Sequence, residues 1–439
     1  MARSDWYRLD SVGKYYSAQA GRSGQTVFRF SATMVDSVSP EALQAALDAT
    51  VERYPSFNVK LRSGMFWHYL EPADERPLVQ PEVLPICAGL HADLSSVLFR
   101  VSYFRERINV EVSHMISDGR GTLEFFRSLL ASYVEQRYGT SCSTAKDPVA
   151  LSDRTEDSYT ANFERAKAGS DEAEKPYHLT GWKNTAEPTF MEYHLPAGAV
   201  HSAAKEMGVS VTSLMIAAVI VAIRNTMPSS KRNRAIRMDI PVDLRDMFGS
   251  ETLRNFFGLT FVSYTPGEQD EPLSAIARHV QTQLTNGTQL DALKRRMNRL
   301  LKLEKNPVVQ AVPLFLKDGG LMIGNWLTAQ EVTTTVSSIG RITLDEAVEP
   351  YVRDINVMTS TRGMNFLFCT FKDVLSMVIS SVYVRHDVVR NFCEVFTNLG
   401  IEGVMSINKT SGQVEHDIRQ GQFENLSKRF AAERRKGRA

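Results

Sequence analysis

The chain has 439 residues, of which 43% are apolar and 23% charged, and a formal net charge of +1. That length predicts two domains of about 150–220 residues each, and the near-neutral charge gives no electrostatic case for a nucleic-acid or membrane partner. The four cysteines (Cys87, Cys142, Cys369 and Cys393) stand in no CxxC spacing, and the opening "MARSDWYRLDSVGKYY" has no apolar signal core, so a disulfide framework and a secretory leader are not expected and a cytoplasmic protein is.

Thr26–Met34 ("TVFRFSATM") carries β-branched and aromatic residues at strand density. The next segment, "SPEALQAALDATVERYP", reads as a helix. Ser39 can cap it, Pro40 suits the first turn, and Leu43, Ala46, Leu47 and Val51 form one apolar face. A hairpin is expected over Asn58–Pro72, turning at Ser63-Gly64, and two more strands over Ser95–His114, turning near Arg105 to Arg107. Thr122–Gly139 places Leu123, Phe126, Leu129, Leu130 and Tyr133 at helical spacing, with Thr122 as cap and Gly139 as stop. From Thr140 to Pro188 large apolar residues become scarce, and the stretch reads as a linker with one short helix.

The alternation then restarts. "TFMEYHLPAG" is a strand, and "AVHSAAKEMGVSVTSLMIAAVIVAIRNTM" is helical with a break near Gly208. Its apolar run, Leu214–Ile223, is too short to span a bilayer and is expected to be buried. "AIRMDIPVDLRDMF" and "LTFVSYTPG" are strands flanking a loop. "EPLSAIARHVQTQLTNGTQLDALKRRMNRLLKLEKNP" is a long basic helical region; within it Leu293–Lys305 is basic and amphipathic, which suits a solvated face first and, as alternatives, contact with anionic phosphates or a membrane surface. Four strands follow ("TTTVSSIGRI", "VRDINVMTST", "MNFLFCTFKD" and "VLSMVISSVYV"), then a last helix, "HDVVRNFCEVFTNLGI". The expected organisation is a first unit at 1–140, a linker at 141–188, a second unit at 189–425 and a basic tail at 426–439. From Lys428 that tail holds six basic residues and one acidic, and it reads as a solvated end.

The corner "VEVSHMISDGRGTLEFF", Val110–Phe126, turns a strand into a helix. Strand alternation aligns His114 with Val110 and Val112 on a core face. Gly119 and Gly121 would permit the backbone angles of a tight corner. Histidine, with an ordinary pKa near 6.5, accepts a proton at neutral pH and can take one from a nucleophile attacking a carbonyl. Asp118 can serve in either of two ways: it can orient the imidazole, or it can pair with a cation and lock the turn.

In that context "HMISDGRG" resembles the HxxxDG motif of the acyltransferase superfamily that includes chloramphenicol acetyltransferase and the condensation domains of peptide synthetases. "IPVDLRDMFGSETLRNFFG" (Ile240–Gly258) is similar to its P-x-x-x-R … N-x-x-G segment. "VSSIGRI" (Val336–Ile342) is similar to the S-[NS]-x-G strand of the alcohol acetyltransferase branch, and "ALQAALDATVERYPSFNVKLRSGMFW" to its first helix and following strand. The resemblance implies an α/β fold of two chloramphenicol-acetyltransferase-like subdomains of mixed sheet and helices, with a tunnel between them. It implies His114 as general base, Asp118 paired with Arg245 in a structural salt bridge, and Gly119 as the motif glycine that leaves room for substrate. The acceptor would attack the thioester directly, with no covalent enzyme intermediate. Ser337 or Ser338 would supply a donor to the oxyanion. Acyl-CoA would be a co-substrate, no cofactor would be bound permanently, and the partner would be a small alcohol or amine.

The DFGWG motif of plant BAHD enzymes is absent, and Ser113 stands where the HHxxxDG form has a first histidine. There is no G-x-S-x-G, P-loop, G-x-G-x-x-G or HExxH, and no histidine spacing for a metal. Two units in one chain suffice to build the site, which suits a monomer. The rival reading is a non-catalytic condensation-like protein that grips a lipid or acyl carrier in the groove.

Overall fold

The computed structural model describes residues 6–19, 26–90, 96–142, 154–164 and 175–408. The basic tail at 426–439 lies outside them, as do residues 143–153 and 165–174 of the linker segment.

The first part of the chain runs β1 (Tyr7–Arg8), α1 (Ser11–Ser17), β2 (Val27–Met34), α2 (Pro40–Arg53), β3 (Val59–Ser63), β4 (His68–Pro72), β5 (Gln80–Pro81), β6 (Phe99–Phe104), β7 (Arg107–Ser113) and α3 (Gly119–Tyr138). Strand alternation explains its layering. Phe28, Phe30 and Ala32 of β2 share a face with Ile108, Val110 and Val112 of β7, and that face packs under Leu43 and Leu47 of α2 and Leu123, Phe126 and Leu130 of α3. Ser39 caps α2, its Oγ accepting from the Ala42 N–H at 3.2 Å.

Helix α3 begins at Gly119, earlier than the expected cap at Thr122. Asp118 is the cap, because its carboxylate accepts from the Arg120 and Gly121 N–H groups at 3.1 and 2.9 Å. Neither Gly119 nor Gly121 has a positive φ, so the expected backbone freedom is not their role. Gly121 answers a different need. A Cβ there would lie 2.0 Å from the Leu253 carbonyl oxygen and 2.6 Å from Ser117 Oγ. Gly121→Ala should therefore destabilise the fold by about 1–3 kcal/mol or more, the usual cost of overpacking. A urea midpoint equal to wild type would mean that the 253 backbone is not pressed against this helix.

The second part runs α4 (Ser158–Ala161), β8 (Thr189–Pro196), α5 (Ala197–Glu206), α6 (Val211–Arg224), β9 (Ile236–Asp243), α7 (Arg245–Phe248), β10 (Phe257–Tyr264), α8 (Leu273–Gly287), α9 (Leu290–Glu304), α10 (Pro307–Ala311), α11 (Leu314–Ala329), β11 (Thr334–Ile342), β12 (Val352–Thr359), β13 (Met364–Phe371), β14 (Val374–Ser381), α12 (Asp387–Asn398) and β15 (Val404–Asn408). Seven strands form one mixed sheet in the order β10-β9-β11-β13-β14-β8-β15. One face of it, with Met238, Val336, Phe366 and Met377, packs under α6, α8 and α12. Leu214–Ile223 of α6 are all buried there. Among the described residues no single helix is long and apolar enough to cross a membrane.

Strand β12 departs from this sheet. It pairs antiparallel with β2, setting Val357 opposite Phe30 and Thr359 opposite Phe28, and completes the five-stranded sheet β12-β2-β7-β6-β5. The second part of the chain thus lends a strand to the first. The other face of the seven-stranded sheet turns toward that lent strand, with the Cys369 thiol against the Ile355 carbonyl at 3.3 Å and Ser376 Oγ bonded to Asn356 Oδ1 at 2.5 Å. In the basic helical region, Leu293, Met297 and Leu301 of α9 pack on Leu244 and Phe256, and Arg295 and Arg299 are exposed.

Candidate active site

His114 is the residue after β7, and its backbone is held at both ends. Its N–H donates to the Thr26 carbonyl at 2.7 Å, and its own carbonyl accepts from Asn255 Nδ2 at 2.8 Å. The ring lies between two aromatic rings. Tyr16 of α1 stacks on it at 4.9 Å and 16°, and Phe28 of β2 meets it at 4.4 Å and 39°. Its Nδ1 is buried without a hydrogen-bond partner among the described residues, while the residue as a whole keeps partial solvent access. Burial pushes the imidazole pKa down to about 4, outweighing the nearby Asp118 charge, the Asn255 amide and the Ser117 backbone, which pull it upward. The ring is therefore a neutral base throughout the physiological range.

Asp118 makes no hydrogen bond to that ring. Its Oδ1 takes the two helix N–H groups, its Oδ2 takes the Phe256 N–H at 2.8 Å, and both oxygens receive Arg245 Nη2 at 2.9 and 3.0 Å. Arg245 is equally committed. Its Nε donates to the Thr252 carbonyl at 2.8 Å, its Nη1 to Asp243 Oδ1 at 2.8 Å and its Nη2 also to the Arg254 carbonyl at 2.6 Å. Of the two roles left open for Asp118, the geometry is that of the cation pair. Asp118 and Arg245 are both buried, and together they bolt the α3 corner to the loop between β9 and β10.

The register separates the two serines. Ser337 stands level with Leu367, on the face turned toward the first sheet, whereas Ser338 stands level with Phe368, on the face packed under the helices. A bulge follows Ser338, with Gly340 at φ +79°, and Ile339 comes within 3.0 Å of the position a Gly119 Cβ would take. Ser337 therefore faces the side on which the His114 corner lies, and Ser338 faces away. Gly119 has little spare room, because the Ile339 side chain is already against it.

Three site residues, Tyr16, Phe28 and Asp10, escaped the sequence reading, and a fourth, Asn255, stood there only as the Asn of the N-x-x-G segment, without a role. Tyr16 and Phe28 clamp the imidazole. Asn255 fixes its backbone, and the same amide donates to Asp10 Oδ2 at 3.1 Å. Asp10 caps α1 through the Gly13 N–H at 2.7 Å, and burial pushes its carboxyl up to about 6. The cap was legible, since "LDSVGKYY" has the aspartate just before a helical run. The partners of Tyr16 and Phe28 come from remote segments and carry no local signal.

A family model described as "Phthiocerol/phthiodiolone dimycocerosyl transferase C-terminus" matches residues 196–379. Comparison with curated protein sequences finds no match. Among solved structures, polyketide synthase associated protein 5 from Mycobacterium tuberculosis is similar over 91% of this chain and 99% of its own, at 13% identity and a TM-score of 0.59. F. graminearum TRI101, solved with Coenzyme A and T-2 mycotoxin, is similar over 91% of this chain and 100% of its own, at 13% identity and a TM-score of 0.61. The starter condensation domain of rhizomide synthetase, solved with C8-CoA, is similar over 90% and 94%, at 10% identity and a TM-score of 0.59. The mixed sheets and these structural likenesses agree: the chain has the two-subdomain fold of these solved structures.

Proposed function

We propose that the protein is an acyltransferase that moves an acyl group from an acyl thioester, acyl-CoA in the first instance, to an alcohol or amine. The observation that carries this reading is the His114 ring. It is held between two aromatic faces, kept neutral by burial and left with a buried nitrogen that makes no well-formed hydrogen bond among the described residues, Asn255 and the Ser117 backbone being its polar neighbours. A structural histidine in a core normally has its nitrogens satisfied. The family description and the CoA-bound relatives support the same class of chemistry.

In the proposed reaction the acceptor hydroxyl or amine attacks the thioester carbonyl while its proton passes to His114. The carbonyl π electrons move to oxygen, giving a tetrahedral oxyanion beside the new imidazolium. In this desolvated setting the two opposite charges stabilise each other more than they would in water. Collapse reforms the carbonyl and breaks the C–S bond, and the thiolate takes the proton back from His114. No covalent intermediate on the protein is needed, and Asp118 and Arg245 serve only to hold the corner.

The oxyanion calls for a donor, and the register favours Ser337 for that role over Ser338. Ser337→Ala should lower kcat by about 10²-fold, typical of one lost oxyanion donor, while Ser338→Ala leaves kcat near wild type. The reverse pattern would remove Ser337 from the mechanism. The overall reading is tested by free-thiol release from short and long acyl-CoAs with a panel of alcohols and amines, using His114→Ala as control. Thiol release that is equal in the two proteins would favour the non-catalytic groove-binding alternative.

A further inference from the structure

The proposed reaction leaves Arg237 of β9 without a role. Arg237 is only 7% exposed, yet its Nε is buried without an acceptor, and among the described residues its guanidinium joins no ion pair. Its guanidinium carbon lies 4.6 Å over the Phe261 ring. Met238 and Ile240 point into the helix-side core, so Arg237 and Asp239 occupy the opposite face of β9. Asp239, two residues along, could have paired with Arg237. Instead it accepts from Thr335 Oγ1 at 2.7 Å. The Asp239 charge is felt at Arg237 but makes no contact ion pair with it, and a buried guanidinium short of hydrogen-bond partners is costly, so an apolar side chain would fill the same slot more favourably. Packing alone does not account for it.

Its place along the strand is informative. Asp243, at the far end of β9, belongs to the histidine corner through Arg245 at 2.8 Å. Counting back along the strand, Asp239 lies ~13 Å and Arg237 ~20 Å from that end. Asp239 also sits near enough to Tyr15 and Tyr16 for its charge to act on both phenols, and Tyr16 is the residue stacked on His114. Ser337, the Thr335–Asp239 pair and Arg237 therefore form a row leading outward from the corner, on the face turned toward α1.

We propose that Arg237 and Asp239 form a substrate subsite. It takes an anionic group, a phosphate or carboxylate, at Arg237 and a hydroxyl or amide donor at Asp239, on an elongated molecule whose reacting end lies at His114. The proposal rests on the acyl-transfer reading for the identity of that end. A guanidinium presents paired N–H donors that match phosphate and carboxylate oxygens, and the Phe261 ring fixes its plane. Two molecules could bring the anion: a thioester donor with a phosphopantetheine arm, or an acidic acceptor.

The test uses the full chain, with Arg237→Met to keep the contact with Phe261 and Arg237→Lys to restore the charge. Calorimetry measures binding of CoA, phosphate-free pantetheine, inorganic phosphate and succinate. Arg237→Met should weaken anion binding at least about tenfold, the worth of one charge-assisted hydrogen bond, and Arg237→Lys should recover part of it. Without ligand, Arg237→Met should melt at or above the wild-type temperature, since a buried cation short of hydrogen-bond partners is gone. If the donor brings the anion, CoA loses affinity and pantetheine does not. If the acceptor brings it, CoA affinity is kept while phosphate and succinate binding falls. Wild-type protein that binds none of the four, or a Met variant that binds all of them as wild type does, overturns the subsite. Anion binding that depends on Arg237 in a protein whose thiol release is indifferent to His114→Ala would leave the subsite standing and sink the acyl-transfer reading.

Discussion

Replacing Arg245 with alanine should destabilise the protein by about 3–5 kcal/mol, the usual result of stripping one partner from a buried ion pair. The guanidinium makes hydrogen bonds to Asp118, Asp243 and the carbonyls of Thr252 and Arg254. Its loss leaves two buried carbonyls without their donor and the Asp118 charge held by backbone N–H groups alone. Asp118→Ala should also destabilise, because it removes the α3 cap and one of the two carboxylates that Arg245 pairs with, leaving Asp243. Activity should fall with stability in both variants, since the corner they brace carries His114. The measurement is urea unfolding followed by two independent spectroscopic probes. A midpoint within error of wild type for Arg245→Ala would mean that the corner is held by other contacts.

His114→Ala should lower turnover by roughly 10²–10⁴-fold, the range for a removed general base. The alanine leaves a gap between Tyr16 and Phe28, so His114→Phe is the better control for folding. It keeps aromatic contact on both sides and deletes the unpartnered Nδ1. It should be as inactive as alanine and at least as stable as wild type near neutral pH. The pH dependence is equally diagnostic. The base acts only when deprotonated, and burial pushes its pKa down to about 4. kcat/KM should then be flat from about pH 5 upward and fall as acid drives the ring through that pKa. Asp239 of β9 has a carboxyl that burial pushes up to about 6. An acid limb near pH 6 would therefore reassign the base to a carboxylate. Stability gives a second check with a definite sign. Unfolded histidine titrates near 6.5 and the folded ring near 4, so between these values the unfolded chain binds the extra proton. The His114 contribution, present above pH 6.5, is lost as pH falls toward 4. The wild-type minus His114→Phe difference isolates it, because Asp10 and Asp239, with raised pKa values, act with the opposite sign between about 4 and 6.

How far the sequence reaches depends on whether a feature is local. The β2–α2 pair, the buried helix at Leu214–Ile223 and the strand-to-helix turn at His114 follow from periodicity and caps within a few residues. The start of α3 was misjudged because Thr122 and Asp118 are both acceptable caps, and the choice is made by Arg245 and Phe256, more than a hundred residues away. The steric demand at Gly121 likewise comes from the Leu253 backbone. Helix α11, with Gly319 and Gly320 inside it, ran against helix propensity and went unread. The resemblance of quoted motifs drew attention to Arg245 and Ser337. It carried nothing about the aromatic clamp or about Arg237, which exist only once remote strands are adjacent.

The lending of β12 has a consequence for how substrates come and go. A strand hydrogen-bonded along its length to β2 cannot be released by a hinge, so the lobes cannot swing apart like the jaws of a clamp without breaking a ladder. Access to His114 must then depend on side-chain and loop movements rather than on separation of the two sheets. For the same reason, a protein cut before residue 352 would expose the bare rim of β2, and it should stick to its own copies rather than persist as an independent half.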